Sequence, residues 1–109
     1  MFSKKYKITK KEDFNKIYKN GSVFYSEYLK VFVLPNNLSH NRFSVVISKK
    51  VSTKAVVRNK IKRKITNSLV DFDKNLKPSR DIIIIPLLEI ATLKTNLLKE
   101  KFEQLLKKI

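Results

Sequence analysis

The sequence has no cysteine and no tryptophan, a single glycine, a single histidine and nine acidic residues. Without cysteine there is no disulfide framework and no thiolate nucleophile or ligand, which fits a reducing compartment. The one histidine, His40, lies in the loop-like run 35-PNNLSHN-41. A lone imidazole among scattered carboxylates makes neither a metal cluster nor an acid–base pair. A stand-alone nuclease is disfavoured for the same reason, because no paired acids are present to hold its metal ions. No apolar run reaches the roughly 18–20 residues of a membrane span. The longest, 82-IIIIPLL-88, is short and broken by Pro86. The basic N-terminus is not followed by the apolar core of a signal peptide. The expectation is a cytoplasmic protein that makes no membrane contact.

Positive charge is what the chain has in excess. Its 25 Lys/Arg residues give a net charge of +16 over 109 residues. Self-repulsion of that size destabilises a compact domain, so a polyanionic partner is the natural reading. Seven Phe, four Tyr and a 42% apolar content supply a core and argue against disorder. The length suits a single domain spanning residues 1–109.

Periodicity gives the order of elements. In 9-TKKEDFNKIYKNG-21, Thr9 and Glu12 match a capping box and Gly21 suits a left-handed helix end. Phe14, Ile17 and Tyr18 share one face of that helix. Val23 to Leu34 reads as a strand, with room for an extra short strand near Val23–Tyr25, and 42-RFSVVIS-48 reads as its antiparallel hairpin partner. Ser52 or Thr53 can cap a helix running to about Asp71, whose buried stripe is Val57, Ile61, Ile65 and Leu69, joined by Phe72. The unalternating 81-DIIII-85 is expected of a central strand covered on both faces. Leu98, Phe102, Leu105, Leu106 and Ile109 define an amphipathic C-terminal helix. The fold class is α+β, one sheet packed by helices in the order α-β-β-α-β-α.

Charge is concentrated in one place. Between Glu27 and Asp71 there is no acid, while ten Lys/Arg occur. In 54-KAVVRNKIKRKI-65 six basic residues are threaded with five apolar ones. A solvated helix face normally mixes signs. Here Asn59, Lys60, Arg63, Lys64 and Asn67 fall opposite the apolar stripe, and Arg58 and Lys62 lie along its flank with room for their stems to pack. Arg forks, Lys point charges and Asn donors form a phosphate-binding surface. Composition alone does not choose RNA over DNA, although a sheet preceded by a short helix does not suggest a helix-turn-helix. Phe14, Tyr18 and Phe32 could line a groove that stacks single-stranded bases, or could simply be core.

At 45-VVISKKVSTKAVVRNKIKRKI-65 the chain resembles the bacterial ribonuclease P protein component, with its Arg-Asn-Arg type helix after a Ser-Lys-Lys turn. The likeness extends from the basic N-terminus through 13-DFNKIYKNG-21, the strands and the last helix. It implies a sandwich like the second domain of ribosomal protein S5, with a left-handed βαβ crossover. It also implies a partnership, 1:1, with ribonuclease P RNA, and action on precursor tRNA, whose 5′ leader is removed by chemistry that the RNA and its Mg²⁺ perform. On this resemblance Arg58, Asn59, Lys60, Lys62, Arg63 and Lys64, with Lys49, Lys50 and Lys54 of the preceding turn, contact the catalytic RNA. Phe14, Tyr18 and Phe32 fall at the cleft for the leader. The implied catalytic and protein metal ligands are none. Lys60 and Thr66 stand where the family often has Arg, Ser44 and Ser52 where it often has Gly, and Leu87 replaces a frequent basic residue. A small ribosomal or RNA-chaperone-like protein is the alternative reading.

Overall fold

The computed structural model describes residues 6–26, 28–72, 79–87, 100, 103–105 and 107, the side chains of 70–72 excepted. The elements are α1 (Lys11–Asn20), β1 (Ser22–Tyr25), β2 (Leu29–Pro35), β3 (Arg42–Val45), α2 (Ala55–Phe72) and β4 (Arg80–Pro86). One sheet has the strand order β1-β2-β4-β3. β2 is antiparallel to both β1 and β4, while β3 runs parallel to β4, so β3-α2-β4 is a crossover unit.

The position of β4 follows from its composition. A run of isoleucines needs cover on both faces and neighbours on both sides, and Ile82, Ile83 and Ile84 are fully buried. Ile82 and Ile84 face one way, joining Leu29, Val31, Phe43 and Val45 against Ile65 and Leu69 of α2 and against Leu105. Ile83 and the half-buried Ile85 face the other way, with Phe32, Leu34, Ile8 and Ile17 of α1. The alternation of the strand thus divides the protein into two cores.

Several expectations are corrected. The Val23–Leu34 strand is two strands, folded back at Ser26, whose amide donates to Leu29 O at 2.8 Å. The short strand at Val23–Tyr25 is therefore present. The strand at Arg42 is not the hairpin partner of β2, because β4 lies between them. Hairpin pairing would have left β4 on an edge with its apolar side chains wet. β3 also stops at Val45 rather than Ser48, where Ser48 Oγ accepts the Lys50 amide in a turn.

At the start of α1 the cap is Lys10, with no side-chain bond, so the Thr9/Glu12 box does not form. The chain enters extended because Lys7 bridges β3 and Ile8 N–H bonds Phe43 O at 3.0 Å. Gly21 is extended, φ −73°, not left-handed. Its need for glycine is spatial: a Cβ there would lie 2.5 Å from Ile17 O and 3.1 Å from Val33 O. At Ser44 and Ser52 the backbone avoids positive φ; Ser79 alone adopts it among described non-glycine residues. Leu98, Phe102, Leu106 and Ile109 of the expected last helix lie outside the described residues; residues 103–105 are helical and Leu105 is buried.

Candidate nucleic-acid interface

α2 is fixed by its apolar stripe and offers its remaining surface. Ile65 and Leu69 are completely buried, and Val57 and Ile61 are half-buried. On the other side Asn59, Lys60, Arg63 and Asn67 are exposed, and so are Val56 and, on the flank of the stripe, Lys62. Lys64, expected among the outward residues, is half-buried. The first turn of α2 has no acid, so nothing there complements the positive helix N-terminus from within. That end is accordingly suited to an external anion.

The basic turn before α2 is tied to the helix through Arg58. Its Nη1 donates to Ser52 O at 2.8 Å, and Ser52 Oγ accepts the Lys54 amide at 3.2 Å. Arg58 is half-buried by this contact, while Lys49, Lys50 and Lys54 are exposed. One guanidinium nitrogen is thus occupied in holding the turn that carries three lysines. Sequence spacing did not reveal this role.

The opposite face of the sheet forms a shallow aromatic cleft beside α1. Tyr18 meets Phe32 edge-on at 5.0 Å between centroids, and Phe14 lies 6.4 Å from Tyr18. The three expected cleft residues do come together, but unequally. Phe32 is 8% exposed and belongs to the core, whereas Tyr18 is 40% exposed. Partial burial pushes the Tyr18 phenol above its ordinary pKa, keeping it a neutral donor.

Strand register extends this cleft beyond α1. Tyr25 pairs with Lys30 and Val23 with Phe32, placing all four side chains on the cleft face. Tyr25 is 60% exposed. Lys30 Nζ sits 5.0 Å from the Phe32 ring centre and 5.4 Å from that of Tyr25, within cation–π range. Tyr25 and Lys30 were not among the candidates, because their adjacency depends on a turn that was not recognised.

Arg42, counted in the acid-free stretch, is not available to a partner. Its Nε and Nη2 grip Asp81 at 2.8 and 2.6 Å, and Nη1 reaches Asp13 at 3.4 Å. Hydrogen bonding to Asp81 is the chief reason that its pKa is raised above the ordinary value. Asn36 Nδ2 adds a 2.8 Å bond to the same carboxylate. This cluster joins α1, β3, β4 and the 36–41 loop. His40 packs edge-on against Tyr6, at 5.1 Å. Leu87 is half-buried, its amide bonded to Tyr28 O at 2.8 Å. Among the described residues no group of three or more His, Asp or Glu could hold a metal ion, and no helix is long and apolar enough to cross a membrane.

Comparison with known proteins places the chain in a family. The sequence model of the Ribonuclease P family matches residues 2–109. A ribonuclease P protein component from Caldanaerobacter subterraneus subsp. tengcongensis is 34% identical over 102 residues, covering 94% of this chain and 87% of that protein. One from Listeria innocua is 33% identical over 105 residues, covering 95% and 87%. The Staphylococcus aureus RNase P protein superposes with a TM-score of 0.86 at 33% identity, covering 94% of this chain and 93% of that one. The Thermotoga maritima protein gives a TM-score of 0.87 at 27% identity, covering 94% and 96%. Matched along almost its whole length in both sequence and fold, the chain belongs to the ribonuclease P protein component family.

Proposed function

We propose that the protein is the non-catalytic, RNA-binding subunit of a ribonuclease P ribonucleoprotein in the cytoplasm. The observation that carries this reading is the acid-free outer surface of α2 and its preceding turn, set on a rigid sheet opposite an aromatic cleft. Lys49, Lys50, Lys54, Arg58, Asn59, Lys60, Lys62, Arg63 and Lys64 bind the catalytic RNA, in a 1:1 complex. Arginine forks take two phosphate oxygens, and lysines act as point charges. Each neutralised phosphate contributes about −0.7 to −0.9 to the slope of log affinity against log salt.

Phe14, Tyr18 and Phe32, together with Tyr25 and Lys30, receive the single-stranded 5′ leader of precursor tRNA. Tyr18 and Tyr25 offer ring surface to bases, and Lys30 offers charge to the backbone between them. As the family resemblance implies, the metal ions and, with them, activation of the attacking water are assigned to the RNA. The protein's contribution is to neutralise phosphate repulsion and to hold the leader in line, which lowers the Mg²⁺ needed for cleavage.

Reconstitution tests this. Ribonuclease P RNA and precursor tRNA are combined at low Mg²⁺ with and without the protein, and 5′ leader removal is followed. Stimulation by the protein is expected. Equal rates would refute the proposal in favour of an RNA-chaperone-like or ribosomal role, and cleavage by protein without RNA would reveal a nuclease.

A further inference from the structure

We propose that a cavity at the outer edge of β3, between residues 7–9 and α2, receives one unstacked nucleotide of the catalytic RNA. This rests on the function proposed above and adds to it a site on neither the outer face of α2 nor the aromatic cleft. The cavity has a volume of about 240 Å³. It arises because Lys7 and Ile8 pair with β3 at Phe43, adding a rung to the sheet that α2 does not reach across to cover.

Its floor is apolar, made of Phe43, Val45 and Leu69, all buried. Two cationic residues, Lys7 and Lys62, and the hydroxyl-bearing Thr66 complete its lining. Thr66 is 7% exposed and its hydroxyl donates to Lys62 O at 2.7 Å, so its proton is used within the helix and its oxygen remains an acceptor. Among the described residues no acidic one lines the cavity. A second cavity of the same volume, beside α1, is different: it is lined by Asp13 and Asp81 along with Lys16 and Arg42, which balance one another.

The lining selects the occupant. A bare phosphate would leave the apolar floor unused, and a purely apolar ligand would leave two amines without an anion. A nucleotide satisfies both, with a flat base against apolar walls, polar edges toward hydroxyls and a phosphate on the amines. The volume lies below the roughly 300–1,000 Å³ of pockets that enclose drug-sized ligands, which limits entry to one base-sized group. Lys62 also borders the exposed basic face of α2, so a nucleotide entering here is continuous with a strand bound along that helix.

Thr66→Leu fills the cavity without removing a charge, and its binding to ribonuclease P RNA is measured across a salt series beside its thermal unfolding. The melting temperature should equal or exceed that of the unsubstituted protein. Affinity should fall by about tenfold or more, with the salt slope reduced by at most about one contact. A stable variant with undiminished affinity overturns the proposal. The unsubstituted protein is also titrated with adenosine monophosphate and followed by amide NMR, a measurement independent of any variant's folding. Shifts at Phe43, Val45 and Thr66 are expected; shifts confined to the Lys49–Lys54 turn and the outer face of α2 overturn it. Failure of the unsubstituted protein to bind the RNA would instead remove the proposed function itself, and the cavity's role with it.

Discussion

Asp81→Ala should be the most damaging single truncation of a polar residue in the described structure. Asp81 is 5% exposed and accepts three hydrogen bonds, two from Arg42 and one from Asn36. Removing one partner of a buried ion pair costs about 3–5 kcal/mol, because the other charge stays behind uncompensated. The Arg42 side chain retains 21% exposure and a longer contact to Asp13, so water and that acid relieve part of the penalty. The lower end, about 3 kcal/mol, is therefore expected. For 109 residues an unfolding entropy of about 2.1 cal/mol/K per residue turns this into a melting-temperature drop of about 13 °C. Urea titration should show a lower midpoint with an unchanged m-value. Asp81→Asn, which keeps the shape and loses the charge, should fall between the parent and Asp81→Ala. A loss under about 1 kcal/mol for Asp81→Ala would refute the reasoning, showing that Arg42 is held by packing rather than by the carboxylate.

Gly21→Ala should destabilise by about 1–3 kcal/mol despite a permissive φ, because its methyl would meet the Ile17 carbonyl; a melting curve equal to the parent's would contradict this. Arg63→Ala should reduce the salt slope of catalytic-RNA binding by about one contact. Arg58→Ala should reduce it further, since the turn bearing Lys49, Lys50 and Lys54 is released from α2; equal slopes for the two variants would reduce Arg58 to a simple phosphate contact. Tyr25→Ala should leave stability almost unchanged and weaken precursor tRNA with a leader more than mature tRNA, measured by competitive binding to the holoenzyme. Equal weakening of both would move the leader away from this end of the cleft.

What could be read in the sequence was what repeats. The unbroken isoleucines of β4 announced a strand covered on both faces, and the Val57/Ile61/Ile65/Leu69 ladder announced the seated side of α2. Both are local consequences of burial, and periodicity reports burial. Strand pairing is different, because alternation says which face a residue occupies but not which strand lies beside it. The hairpin expected between β2 and β3 failed for that reason, and Tyr25 and Lys30 were missed with it. Arg42 shows the same limit in charge. As a letter it belonged to a basic stretch; in the fold its guanidinium is held by Asp81, distant in sequence. Gly21 was recognised as a necessary glycine for the wrong reason, since the crowding comes partly from Val33, across the fold.

The cleft follows from helix length. At about 1.5 Å per residue, the ten residues of α1 reach roughly 15 Å, and the eighteen of α2 roughly 27 Å. Four strands at about 4.8 Å spacing set the outer strand axes roughly 14 Å apart, and seven residues of β2 run about 23 Å. A helix of about 10 Å diameter and 15 Å length covers only part of such a face. α2, aided by Leu105, covers its side except at the outer edge of β3, but α1 leaves the strip along β1 and the Lys30 end of β2 uncovered. A strip open to water cannot be wholly apolar without inviting association. Lys30 and Tyr25 make it tolerable: the ammonium rests against the rings of Phe32 and Tyr25, and the outer surface of Tyr25 stays accessible. The same pair of properties, a ring to stack on and a charge beside it, is what a single-stranded nucleotide requires. The short helix and the wet sheet face are therefore one feature, and the seating of α2 on the other face fixes how far it lies from the basic surface.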